Sequence, residues 1–140
     1  MKSAFVKIVV SLAFMMLPLS VFAQQPQEPN LFEQIEQEAE RLQRVLNLED
    51  WQVFYVDSTL THDLPAMRAE IHSLATQKVG NSDMYQRVQD KWMDQIDATY
   101  KRIFTEEQWQ AYLKQGAAKY QKARAKRKAK NYDYGFFRGD

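Results

Sequence analysis

Asp90, Asp94 and Asp97 recur at the i, i+4, i+7 spacing that puts side chains on one face of a helix. Clustered carboxylates can hold a hard cation or take part in acid–base work. The same stripe also suits a solvated helix face, or a dock for the chain's own basic end. Like charges at i,i+4 repel by about 0.3 kcal/mol, which an opposing cation offsets. His62 and His72 stand ten apart with no Asp/Glu set at ligand spacing around them. Three or more converging ligands are needed for a metal, so both read as exposed polar residues. No Ser/His/Asp or Cys/His nucleophile set is present. The four glycines, Gly80, Gly116, Gly135 and Gly139, form no phosphate loop. The chain reads as a non-enzyme, with no cofactor or metal implied.

The second chemically distinctive feature is cationic. Lys114, Lys119, Lys122, Arg124, Lys126, Arg127, Lys128 and Lys130 run without an intervening acid. The segment from Lys119 onward suits anionic lipid or polyanionic glycan, and Phe136 and Phe137 beyond it suit a membrane interface. A plainer reading is a solvated helix end whose cations complement the C-terminal dipole. Residues 24–113 carry 8 Lys/Arg and 16 Asp/Glu, and residues 114–140 carry 9 and 2. The two parts should attract, within one molecule or between copies, so a homodimer or a larger assembly joined by such pairing is one expectation. The terminal Arg138-Gly139-Asp140 matches an integrin-recognised tripeptide, but three common residues carry little weight.

Met1 to Ala23 has the layout of a secretory signal peptide. Lys2 and Lys7 precede the apolar run Ile8 to Leu17, and Val21-Phe22-Ala23 resembles a cleavage site. The run is short for a membrane anchor and meets Pro18. No Cys follows it, so no lipid attachment is expected. The expected location is periplasmic or secreted, which makes nucleic acid an unsuited partner. With no disulfide possible, stability must come from packing.

The elements that position these groups read as helices. A polar leader over 24–30 precedes a helical domain over 31–130 and an aromatic tail over 131–140. Asn30 and Glu33 form a capping pair before a helix from Leu31 to Leu46, with Phe32, Ile35, Ala39, Leu42 and Leu46 as its stripe. Trp51, Phe54, Tyr55 and Ser58 share one side of a second helix. Val53-Phe54-Tyr55-Val56 is also good strand material, but no second strand offers a partner. Leu60 to Pro65 suggests a bend, with Asp63 as a cap, before a stretch marked by Leu64, Met67, Ile71, Leu74 and Ala75, which is either a separate helix or a continuation of the second through a kink. Gly80-Asn81-Ser82-Asp83 is a turn. Tyr85, Val88, Trp92, Ile96, Tyr100 and Ile103 line the most regular helix. The last helix carries Trp109, Tyr112, Leu113, Gly116, Ala117, Tyr120 and Ala123 on one side, with Asn131 as its stop. Such aromatic stripes form core or, left exposed, a binding surface. The expected fold is all-α, an antiparallel hairpin or bundle of four to five helices.

Two helix starts share a pattern. Phe104-Thr105-Glu106-Glu107-Gln108-Trp109 has Thr and Gln three apart, a capping box, with Phe104 and Trp109 placed as a hydrophobic staple. Leu48-Glu49-Asp50-Trp51-Gln52-Val53 is a weaker copy without the Thr hydroxyl. Together they resemble the Leu-Thr-x-x-Gln motif of the Spy/CpxP family of periplasmic stress proteins, over roughly Leu31 to Tyr120. The resemblance implies a periplasmic helical protein, often dimeric, acting as an ATP-independent chaperone or stress-signalling partner for unfolded or envelope proteins. It carries over Leu48, Gln52, Phe104, Thr105 and Gln108 as structural corners only. The alternative function is an envelope-binding module built on the basic helix.

Overall fold

The computed structural model describes residues 30–136, with side chains over 30–130. Two compact units divide the chain, Met1–Asn30 and Leu31–Asp140, and all described helices belong to the second. The expected signal peptide, most of the leader and the Arg-Gly-Asp end lie outside the described residues. The order is α1 (Leu31–Leu46), α2 (Asp50–Thr76), α3 (Ser82–Ile103), α4 (Glu106–Tyr112), a wide turn over Leu113–Ala117, and α5 (Ala118–Phe136). No strand occurs among the described residues, and no described helix is long and apolar enough to cross a membrane.

Helix α1 buries Ile35, Ala39, Leu42 and Leu46 at the expected spacing. In its first turn Leu31 packs on the core, whereas Phe32, placed in the stripe by its spacing, is exposed. Asn47 adopts φ of 51° and Leu48 N–H donates to Gln43 O at 3.1 Å, a left-handed helix end for which Asn is suited. The three-residue link to α2 makes the two helices antiparallel neighbours.

The expected bend at Leu60 to Pro65 is not a break. Helix α2 runs through Pro65, and Asp63 is a buried mid-helix acceptor, not a cap. Proline at 65 removes one bond, its own N–H to Thr61 O. Packing holds the segment regardless. Leu60 is buried, Leu64 packs beside it, and Gln95 Nε2 of α3 donates to Asp63 Oδ1 at 3.2 Å. Contacts step down α3 as they step up α2. Gln52 meets Ile103, Asp63 meets Gln95, and Glu70 meets both Lys91 and Trp92, so the two helices are antiparallel.

The α2–α3 connection departs from its expected chemistry. Lys78, not Gly80, takes the left-handed conformation, at φ of 56°. Lys78 N–H donates to Ala75 O and Val79 N–H to Leu74 O, the paired bonds of a Schellman end. Asn81 then caps α3, its side chain accepting from Asp83 N–H at 2.9 Å.

The last helix changes phase at Gly116. Its φ of 118° lies in the region only glycine occupies at low cost. Upstream, Trp109 is buried as expected. Downstream, Tyr120 and Ala123 no longer continue that stripe. Tyr120 is 66% exposed, and Arg124, at 6%, is the buried residue among the described side chains of α5. The helix also passes Asn131 and continues to Phe136.

The left-handed lysine yields a stability prediction. Lys78→Gly relieves the Cβ strain and should stabilise the fold by about 1 kcal/mol in urea unfolding. Asn47→Gly, where Asn already tolerates the conformation, should change it by less than about half as much.

Candidate functional site

Two corners meet at one point. Thr105 Oγ1 accepts from Gln108 N–H at 3.2 Å, and Thr105 N–H donates to Gln108 Oε1 at 2.9 Å, completing the expected box. At the other corner Glu49 N–H donates to Gln52 Oε1 at 2.9 Å. The glutamine half of that box therefore forms without a hydroxyl. The carboxylate of Glu49 takes Trp51 Nε1–H at 2.6 Å.

The two glutamines then bond to each other. Gln52 Nε2 donates to Gln108 Oε1 at 2.6 Å, and Gln108 Nε2 donates to Gln52 Oε1 at 3.1 Å. The second hydrogen of Gln52 Nε2 goes to Ile103 O at 2.8 Å, and that of Gln108 Nε2 to Asn47 O at 3.3 Å. Each acceptor lies five residues before the opposite glutamine of the pair. The node is thus pseudo-symmetric, and each amide uses both hydrogens and both lone-pair positions. Gln52 is 1% exposed, so this satisfaction is what permits its burial. Leu48 and Phe104, at matching places in the two corners, are both buried. Phe104 and Trp109 are both buried in the same core cluster, and both pack around Tyr112, with ring centroids 5.9 and 5.5 Å away.

The node sets the rotation of α2. Gln52, Val56, Leu60 and Asp63 face inward. Trp51, Phe54 and Tyr55 then fall together on an arc of roughly 100° that faces out. They are 49%, 67% and 51% exposed. Tyr55 meets Trp51 and Phe54 edge to face, at centroid distances of 6.2 and 5.8 Å. The three tryptophans accordingly differ. Trp51 is exposed, Trp109 is buried, and Trp92 is half-buried with its Nε1–H on Glu70 Oε2 at 2.7 Å.

The acidic stripe of α3 docks α5. Arg127 grips Asp90 with two bonds of 2.7 Å each. Arg124 Nε donates to Asp94 at 2.7 Å, and Arg124 Nη2 donates to Asp97. Gln121 and Tyr112 add donors to Asp97 at 3.0 and 2.7 Å. Lys128 reaches Asp94 at 3.4 Å. Of the two pairings open to the charge asymmetry, this contact is made within one chain. Arg124 and Asp97 are both buried, where an ion pair persists only with its remaining hydrogen bonds met. Hydrogen bonding from Arg127 holds the Asp90 carboxyl below its ordinary range. Burial and the bond to Asp97 push the Tyr112 hydroxyl up. A cleft of about 300 Å³ lies along this seam, lined by Met93, Tyr112, Ala117, Tyr120 and the Asp90–Arg127 pair.

The expected anionic-surface residues are therefore divided. Arg124, Arg127 and Lys128 turn to the acids, whereas Lys119, Lys122, Lys126 and Lys130 are exposed. His62 is exposed with Nδ1 2.7 Å from Asp63 Oδ1, and His72 is exposed elsewhere on α2. No group of three or more His, Cys, Asp or Glu among the described residues is arranged to hold a metal ion. Sequence reasoning missed the glutamine pair, although its signal, a Gln three residues into each of two similar helix starts, was present. Comparison of the chain with models of protein families, with curated proteins and with solved structures gave no match.

Two measurements test the site. Gln52→Ala and Gln108→Ala should each cost about 2 kcal/mol, since each leaves polar groups unpaired. The double variant should cost less than the sum by about 1 kcal/mol in a urea-unfolding cycle. The depressed Asp90 pKa implies a stabilisation present above the unfolded value near 3.8 and lost as pH falls through the folded one. The difference in melting temperature between wild type and Asp90→Asn should thus be largest near neutral pH and shrink below about pH 4.

Proposed function

We propose that this is a non-enzymatic protein of the periplasm or extracellular space that binds unfolded or envelope polypeptides without ATP. The observation that carries the reading is the Trp51–Phe54–Tyr55 cluster, three large rings held on the outside of α2 by a buried polar node. Exposed aromatic clusters of this kind mark contact surfaces, and Trp and Tyr dominate the energetics of such contacts. Glu49 and Asp50 border the cluster in sequence and are exposed, which suits a site that keeps its partner soluble. The apolar N-terminal run and the likeness of both helix corners to the Spy/CpxP motif favour the same setting. The groups best suited to acid–base chemistry, Asp90, Asp94 and Asp97, are engaged by α5, which favours a binding role over a catalytic one.

The chain from Gln24 onward contains every described element and is the form to test. It should suppress light scattering from a denatured client diluted into buffer, at near-equimolar ratio and without nucleotide. The variant carrying Trp51→Ser, Phe54→Ser and Tyr55→Ser should lose most of that suppression. Its unfolding midpoint should stay within the range expected of surface changes, about 0.5 kcal/mol per site. Equal suppression by the variant would remove the cluster from the site. Absence of suppression by the wild type at any ratio would remove the chaperone reading.

A further inference from the structure

Helix α5 sorts its cations by type. Its two arginines, with Lys128, turn to the α3 acids. Lys119, Lys122, Lys126 and Lys130 occupy the other side. Their spacing of three, four and four confines them to an arc of roughly 80° and a length of about 16 Å. All four are exposed, and none forms an ion pair or hydrogen bond among the described residues. Among the described residues the fold makes no use of these charges. Four aligned ammonium groups repel one another, so an interaction that uses them would offset a cost the isolated helix carries.

We infer that this lysine stripe is a docking surface for an anionic phospholipid bilayer. Two observations favour lipid over an acidic protein or a glycan. The cations are lysines, flexible point charges that need no fixed acceptor geometry, while the arginines that favour bidentate recognition are already engaged. The flanking positions Ala123 and Ala129 are small, which leaves the ammonium groups outermost along the line and supplies no apolar anchor of the sort a protein interface centres on. Over residues 118–130 the stripe is flanked by no apolar face, so this stretch lies on the surface and does not insert. Binding is then electrostatic and reversed by salt. It uses a different surface from the Trp51 cluster and stands whether or not that cluster binds clients.

The test is sedimentation of the chain from Gln24 onward with vesicles of phosphatidylcholine containing phosphatidylglycerol, and with phosphatidylcholine alone. Binding should occur only to the anionic vesicles at low salt and should vanish near 0.5 M salt, where the Debye length falls to roughly 4 Å. A variant with Lys119, Lys122, Lys126 and Lys130 all changed to Gln should partition roughly a hundredfold less, about threefold per lysine once screening reduces the unscreened fivefold. A charge-matched control with Arg68, Lys78, Arg87 and Arg102 changed to Gln should partition like the wild type. Equal loss in both variants, or no binding to anionic vesicles at low salt, overturns the proposal. So does stripe-dependent binding to dextran sulfate with none to vesicles, which assigns the stripe to a polyanionic glycan. Circular dichroism of both variants separates loss of binding from loss of helix.

Discussion

A closed pair of side-chain amides, Gln52 with Gln108, is the constraint on which the rest of this molecule depends. Each glutamine accepts the backbone N–H at the start of its own helix and caps a carbonyl at the end of another. The exchange between them ties the α1–α2 corner to the α3–α4 corner across 56 residues of chain. Buried amides are costly unless saturated, and here the geometry leaves no donor or acceptor over. A helix so fixed at its first turn has no freedom to roll. Its apolar residues at 51, 54 and 55 cannot reach the core, although their chemistry would favour burial. The surface aromatic cluster follows from a polar constraint.

Charge plays the complementary part at the other end of the chain. Over residues 118–130 the α5 helix has little apolar surface with which to hold the body, and the contacts of this stretch with α3 are mostly ion pairs and hydrogen bonds. Mutual repulsion along the Asp90–Asp94–Asp97 stripe is turned to advantage, because each carboxylate gains a cation from α5. Burial of Arg124 and Asp97 makes the joint specific, since shifting α5 by a turn would strand a charge in a dry site.

Much of the architecture was legible in the residues. The α1 stripe, the α3 stripe and the Thr105–Gln108 box rest on local periodicity and on hydrogen-bond chemistry three residues apart, and these survive in the fold. The misjudged features share a cause. Pro65 was expected to bend the chain, but the loss of one backbone bond is small beside the packing of Leu60 and Leu64. Lys78 was overlooked because its left-handed turn is imposed by the helices on either side and not by its own preference. Tyr120 was placed on the same side as Trp109 because a helical period was carried through a glycine that does not keep it. The acidic stripe could be located from spacing alone. That it meets the arginines and Lys128, and not the other lysines of α5, depends on the orientation of a distant helix, which no local pattern encodes.

Gly116 joins the two halves of the last rod with one torsion of reversed sign. Space around it is open; the nearest atom to a Cβ built there is 3.9 Å away, so the demand for glycine comes from the backbone and not from crowding. That single joint works as a crank. It sets the clocking of every later side chain, and with it which basic groups are spent inward and which the molecule displays. The electrostatic face of some twenty residues is therefore governed by a position that bears no charge and has no side chain at all.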